Sequence, residues 1–578
     1  MGMRTDGFSY WEAESDGFEL LNTTIGDLLD ERAESNPEQE AVIYSAYPEF
    51  GPRLNARWTY REYRNRANQI AKGLLALGLQ KGEHIAVWAL NWPEWMLLEM
   101  AAAKVGLVLA TANPTFRSAE LEYVLRQGDI AALFFQAKVR DHDCVATVGE
   151  RVSPAEGVGA VRSEVLPKLR HTFLMGPPAP ADAPWQPAPF SDLIALGTRV
   201  SDEELKTRQA IVKPDDPAQL QYTSGTTGFP KGALLTHYSI LNNAAVVSHR
   251  QHNQPGDHFC TAMPFFHTGG CVLGVLSALY NGSALLPLLA FDPVKALDTL
   301  AGERCILFGG VPTMLIAMLN HPHSKEVDLS HLRLVFSGGA PVPVALMEQV
   351  KASWDADIGI VFGQTEASPT ITQTFNDDSF ELKSATVGKP LPHTDVKIIN
   401  PQTGEVVPCG EKGELCCRGY LVMAGYYQMP EKTADAIDKD GWLHTGDLAT
   451  MSKDGYVNIV GRLKDMVIRG GENLFPTEVE EFLIRHPKVA DVAVLGVPDA
   501  FFGEELLAVV MPKAGVQLTE EELREYCKGQ ISHQKIPRYF QFATSYPMTA
   551  SGKVQKFVLR EQAIKALGLE AAAKAKTA

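Results

Sequence analysis

The sequence has no C-x-x-C pair among its eight cysteines, no excess of positive charge and no apolar run of about 18 residues. Each absence excludes a class of protein. Cys144, Cys260, Cys271, Cys305, Cys409, Cys416, Cys417 and Cys527 fall mostly in apolar, strand-like runs. They read as reduced core residues of a cytoplasmic protein, not as a disulfide frame or a zinc site. The formal net charge of −16, from 53 basic and 69 acidic residues, argues against a nucleic-acid partner, while leaving room for a local basic nucleotide site. Without a long apolar run, no transmembrane segment is expected. The first twenty residues are acidic and aromatic, with neither a signal-peptide core nor an Arg-rich presequence, and Asp6 stands where myristoylation would need Ser or Thr. No internal repeat and no G-x-x-x-x-G-K-[ST] phosphate loop can be drawn through the chain.

What is present is a long chain with an ordinary apolar content, 578 residues at 45% hydrophobic, which calls for two or more cores. Helical patterns (24–35, 58–77, 95–104) alternate with short apolar strands (84–90, 107–111, 131–135, 171–175). This βαβ rhythm predicts helix-covered, largely parallel sheets. Five more strands continue it, at 259–263, 284–289, 305–308, 332–336 and 358–362. From Asp395 the pattern changes to short alternating strands with a hairpin signal at Asp454-Gly455, which predicts a small β-rich, barrel-like subdomain. The remainder predicts a smaller α+β domain. The expected division is 1–461 and 462–578. The Pro/Ala-rich stretch 176–189 reads as an exposed connection, and the Ala/Lys-rich tail after Leu567 as frayed.

The chain is organised around Thr223-Ser224-Gly225-Thr226-Thr227-Gly228-Phe229-Pro230-Lys231-Gly232. A strand leads into it and a helix opens near Thr236. Glycines let a backbone curl its N–H groups into one concavity, hydroxyls add donors, and Lys231 adds a full charge, so the stretch suits an anion. Such clusters are ordinarily plain surface loops. This one, however, resembles the phosphate-binding loop of the adenylate-forming enzymes, the superfamily of acyl-CoA synthetases, luciferases and nonribosomal adenylation domains.

Further motifs carry the same resemblance, in the same order, from about Trp58 to Arg560. It implies that Thr223 to Gly228 and Lys231 hold ATP phosphates, and that Ser337-Gly338-Gly339-Ala340-Pro341 lies against the adenine. In Phe362-Gly363-Gln364-Thr365-Glu366 the family's usual leading Tyr is replaced by Phe. There the resemblance implies that Thr365 donates to the α-phosphate and that Glu366 holds Mg²⁺, a hard cation that prefers oxygen ligands. Thr445-Gly446-Asp447 matches the ribose motif, with Ile459 and Arg462 also at the nucleotide and Lys464 at the hinge. Pro264-Phe265-Phe266-His267 resembles the acyl-side motif, which places His267 by the substrate carboxylate. Phe265, Phe266, His267, Val272, Val311, Met314, Gly339 and Gly363 are then candidates for an apolar acyl pocket. Gly470, Gly471 and Glu472 would line the coenzyme A path. Lys553, in Met548-Thr549-Ala550-Ser551-Gly552-Lys553, would be the catalytic ammonium.

The implied activity is activation of a carboxylic acid by ATP as acyl-AMP, with release of pyrophosphate, and transfer of the acyl group to coenzyme A. No acid stands where nonribosomal adenylation domains hold an amino group. The segments 388–390, 413–415 and 419–427 look most like the fatty-acyl-CoA synthetase branch, which implies medium- to long-chain acids. An aryl-CoA ligase of the coumarate type and an enzyme loading a separate carrier protein stay open, as does a homodimer.

Overall fold

The computed structural model describes residues 2–3, 6–223, 230–469, 472–499, 501–549 and 554–574. Packing divides the chain into two units that interleave along the sequence. The first is built mainly from Glu12–Asp395 and Cys417–Leu443. The second is built from Met3–Trp11, Val396–Cys416 and the residues from His444 onward.

The first unit holds two large sheets. In one, the strands His171–Met175, Ile130–Gln136, His84–Trp88, Val108–Thr111 and Pro217–Thr223 lie side by side and parallel. The other runs Asp357–Gly363, Leu334–Gly338, Leu307–Gly309, His258–Thr261, Ala284–Pro287 in parallel register. Parallel strands need crossover connections, and the sequence supplies helices with clear ends. Thr24 caps Ile25–Ser35 by accepting from Asp27 N, and Thr59 with Glu62 forms a capping box on Tyr60–Ala76. Pro93–Val105 stops at Gly106, whose φ of 70° is the left-handed conformation that closes a helix. Between strands, Phe134 and Phe173 pair in register and their rings stack at 5.6 Å. Burying each such ring contributes about 1.5–3 kcal/mol.

Three features differ from the sequence expectation. The helix expected near Thr236 is present, but a strand that the sequence did not announce precedes it: Lys231–Thr236 returns antiparallel to Pro217–Thr223, with Thr223 opposite Lys231. Only then does His237–Arg250 begin, capped by Thr236. The stretch 176–189 is more than a connection, because Trp185 stacks on Phe135 and Ala188–Pro189 adds a short parallel strand beside His171–Met175. The tail does not simply fray: Glu570–Lys574 forms a helical turn, in keeping with its strong helix formers.

The second unit contains most of an antiparallel sheet ordered Tyr10–Glu12, Thr394–Ile399, Gly413–Gly419, Leu443–Met451, Val457–Arg462. The hairpin joining its last two strands turns at Gly455, whose φ is 84°. A second sheet pairs Val489–Asp499 with Gly503–Pro512, flanked by Val467–Arg469 and Tyr539–Phe542. The helices Pro476–Leu483, Glu520–Cys527 and Lys556–Ala566 accompany it. Among the described residues no helix is long and apolar enough to cross a membrane. All eight cysteines are free thiols, buried except for the half-buried Cys409.

Candidate active site

In an open α/β sheet, ligands collect beyond the carboxyl ends of the strands. Several polar motifs of the first unit stand there. Pro217–Thr223 delivers the hydroxyl–glycine loop, Leu334–Gly338 delivers Ser337 to Pro341, and Asp357–Gly363 delivers Gln364, Thr365 and Glu366. Thr223 through its hydroxyl is 3.4 Å from Lys231 O, across the mouth of the hairpin. Ser224 to Phe229 lie outside the described residues.

Two glycines are required by the backbone itself. A Cβ on Gly363 would overlap the carbonyl oxygen of Pro369, and one on Gly338 would overlap that of Val361. Strand contact alone therefore demands glycine at both positions, whatever binds nearby. Gly339, with φ 75°, makes the turn that follows. Ser337 is buried, and its hydroxyl has no hydrogen-bond partner among the described residues.

The geometry adds a residue to which the sequence reading gave no role. Tyr426 sits in the short strand Gly425–Tyr426, which pairs with Lys231–Thr236. Its hydroxyl donates to Glu366 Oε1 at 2.7 Å and accepts from Lys231 Nζ at 3.0 Å. The Lys231 ammonium also lies over the Tyr426 ring, 4.1 Å from its centroid. Lys231 and Glu366 are thus tied through one phenol. Burial pushes Lys231 below the usual lysine range, with Glu366 opposing that shift. Burial and the adjoining Glu366 push the Tyr426 phenol well up, so it stays protonated and able to donate. The Glu366 main chain is anchored as well, since Met423 N donates to its backbone carbonyl at 2.9 Å. The Glu366 carboxylate offers oxygen donors of the kind a hard divalent cation prefers.

His267, expected from the motif to border the acyl group, caps the turn Thr268–Gly270, its Nδ1 accepting from Gly269 N at 3.2 Å. The chain continues into a π-helical segment, Cys271–Leu276, a local unwinding common at functional sites. The acyl-pocket candidates divide. Phe266, His267, Met314 and Gly363 are half-buried, Val311 is buried, and Gly339 is exposed. Phe265 and Val272 are core residues: Phe265 packs on Trp95 at 5.4 Å, and Val272 has no exposed surface.

In the second unit Asp447 and Arg462 face each other across the hairpin, with Arg462 Nε donating to Asp447 Oδ1 at 2.9 Å. The turn before Asp447 is held by the neighbouring strand. Thr445 donates to Leu415 O at 2.7 Å and Gly446 N donates to Glu414 Oε1 at 3.1 Å. Asp447 N in turn donates to Thr445 Oγ1. Ile459 is half-buried opposite Ala449, and Lys464 is exposed in the turn Leu463–Asp465. Gly470, Gly471, Lys553 and the side chain of Glu472 lie outside the described residues.

The chain is similar to known proteins over most of its length. A family model described as "AMP-binding enzyme" matches residues 29–427, and one described as "AMP-binding enzyme C-terminal domain" matches 478–553. YngI of Bacillus subtilis (strain 168), whose name assigns it provisionally to the acyl-CoA synthetases, is 45% identical over 95% of this chain and 99% of its own. The mitochondrial medium-chain acyl-CoA ligase ACSF2 of Macaca fascicularis is 38% identical over 95% of this chain and 88% of its own. The crystal structure of ATP-bound MatB from Rhodopseudomonas palustris superposes with a TM-score of 0.80 at 29% identity, covering 94% of this chain and 99% of that one. From its motifs, its two sheets and these relatives, this chain belongs to the AMP-binding enzymes, the adenylate-forming superfamily, in its acyl-CoA synthetase branch.

Proposed function

We propose that this protein is an ATP-dependent acid–thiol ligase that converts a medium- to long-chain fatty acid into its coenzyme A thioester through an acyl-adenylate. The observation that carries the reading is the Lys231–Tyr426–Glu366 chain at the strand ends. It brings together one cation and one carboxylate, the proposed Mg²⁺ ligand, at the strand ends of a chain whose relatives are named acyl-CoA ligases.

A carboxylate resists attack by a thiol, so it must first be activated. In the first step the carboxylate oxygen attacks the α-phosphorus of ATP, and the bond to the pyrophosphate oxygen breaks. Bringing one anion against another at ~4 Å costs about 4 kcal/mol at an effective dielectric of roughly 20. Cations must offset this, and fixed charge of this kind is usually the largest catalytic contribution. In this reading Lys231 and Lys553 supply two ammonium groups, Thr365 donates to the α-phosphate, and Glu366 holds Mg²⁺. The bound ion would neutralise phosphate charge. Tyr426 keeps Glu366 and Lys231 in place. Asp447 accepts from the ribose hydroxyls, with Arg462 orienting its carboxylate, and His267 borders the substrate carboxylate.

In the second step the thiol sulfur of coenzyme A attacks the acyl carbon and AMP leaves. For this we assign the functional boundary to residues 461 and 462, with Lys464 as hinge and Gly470, Gly471 and Glu472 beside the thiol's path. Free thiols at all eight cysteines support a cytoplasmic setting. The acyl chain meets apolar side chains, where a methylene is worth only ~1–3 kcal/mol, so a range of chain lengths is expected. The test is AMP release with ATP, Mg²⁺ and coenzyme A over acids from butyrate to palmitate, with cinnamates alongside. Turnover across several straight-chain acids supports the reading. Strict preference for an aromatic acid, or for a carrier protein over coenzyme A, overturns it.

A further inference from the structure

We propose that Glu414, Cys416 and His444 form a binding site for a borderline-soft divalent cation of the zinc type, built into the sheet of the second unit beside the Thr445–Asp447 turn. The cysteine pattern alone does not announce it, because no two cysteines have zinc spacing. Topology brings the donors together. Glu414 and Cys416 are two apart on the strand Gly413–Gly419, so both side chains emerge on one face. His444 lies on the neighbouring strand Leu443–Met451.

The distances fit a metal's requirements. His444 Nδ1 is 3.5 Å from Cys416 Sγ and 3.0 Å from Glu414 Oε2, and the three donor atoms all lie within 4.8 Å of one another. Tetrahedral zinc, with bonds of about 2.0–2.3 Å, sets its ligand atoms roughly 3.3–3.6 Å apart. Small rotations would therefore bring the donors to that spacing. One ring nitrogen faces both a thiol sulfur and a carboxylate oxygen. A cation at their centre would serve a thiolate, a neutral imidazole and a carboxylate together, after release of the thiol proton and any proton on Nδ1. Cys416 is fully buried and Glu414 nearly so, while the His444 side chain is 30% exposed and gives a route in from solvent.

Three protein ligands leave a fourth position for water. The other oxygen of Glu414 already accepts from Gly446 N, so a bound cation would be one hydrogen bond from the turn that presents Asp447. Occupancy would tie two strands together at that turn. Any effect on turnover rests on the ribose role proposed above, but the site itself does not.

Cobalt(II) is the direct probe. Titrating it into the full-length protein should give a near-ultraviolet thiolate-to-cobalt charge-transfer band that saturates at one equivalent and is displaced by zinc. Cys416→Ser should abolish the band, and His444→Gln should weaken cobalt affinity at least tenfold. A second readout is thermal: zinc should raise the unfolding midpoint of the wild type and leave that of Cys416→Ser unchanged. A charge-transfer band that persists in Cys416→Ser, or saturating cobalt with no such band, overturns the site. Either result would leave the ligase reading standing, because neither measurement uses activity.

Discussion

The hydroxyl of Tyr426 donates to Glu366 Oε1 at 2.7 Å, joining a residue without an assigned motif role to the carboxylate that carries one. Because Lys231 Nζ donates to that hydroxyl at 3.0 Å, the phenol fixes the separation of the two charged groups. Tyr426→Phe keeps the ring under Lys231 and deletes only this link. Removing one partner of a charged hydrogen bond costs roughly 1.5–3 kcal/mol, or about 10–150-fold. The expected result is a loss of that order in ATP–pyrophosphate exchange and a raised Mg²⁺ requirement, with the melting temperature little changed. An unaltered Mg²⁺ dependence would remove Tyr426 from the site.

Lys231 also sets a pH limit. Burial lowers its pKa, so it loses its charge at a lower pH than an ordinary lysine. The alkaline limb of kcat/KM for ATP, which reports free-enzyme groups, should fall below the usual lysine range. Lys231→Arg, which stays charged, should move that limb to higher pH. The sign for stability is opposite: the folded state disfavours the charged lysine, so this contribution improves as pH rises through the lowered pKa. A limb unmoved by Lys231→Arg would assign it to another group.

Asp447 is buried while its partner Arg462 is largely open to solvent, and Arg462 Nε donates to Asp447 Oδ1 at 2.9 Å. Asp447→Asn preserves the shape and removes the charge. The expected outcome is a rise of about 10–100-fold in KM for ATP, roughly 1.4–2.8 kcal/mol, with KM for the acid nearly constant. Equal changes in both KM values would argue against a ribose role.

Gly363 tests a packing claim. A Cβ there would overlap the Pro369 carbonyl, so Gly363→Ala must force the Asp357–Gly363 strand away from Thr370–Gln373. Overpacking of this kind costs about 1–3 kcal/mol or more. A lowered denaturation midpoint is expected even without nucleotide. Normal stability with lost ATP binding would mean that the glycine serves the ligand instead.

Much of this could be read in the residues. Strand and helix order followed from apolar runs closed by cappers such as Thr24 and Thr59 and by stops such as Gly106, all of them local signals. The strand-end motifs were legible because their composition is unusual at any single position. Tyr426 was not, because its role depends on pairing between Gly425–Tyr426 and Lys231–Thr236, almost two hundred residues earlier in the chain. The return strand at Lys231 was missed for a related reason: only its partner strand distinguishes Gly232 to Leu235 from the run-up to a helix. For Phe265 and Val272 the residue type cannot separate a core face from a tunnel face, because both have the same apolar composition, and both side chains are buried.

The central claim concerns Lys553, and one variant tests it most directly. For Lys553→Ala, ATP–pyrophosphate exchange with a preferred acid and thioester formation from supplied acyl-adenylate with coenzyme A should be measured side by side. Exchange should vanish while the second reaction continues near the wild-type rate. Full exchange in the variant would contradict the claim that this lysine drives adenylate formation.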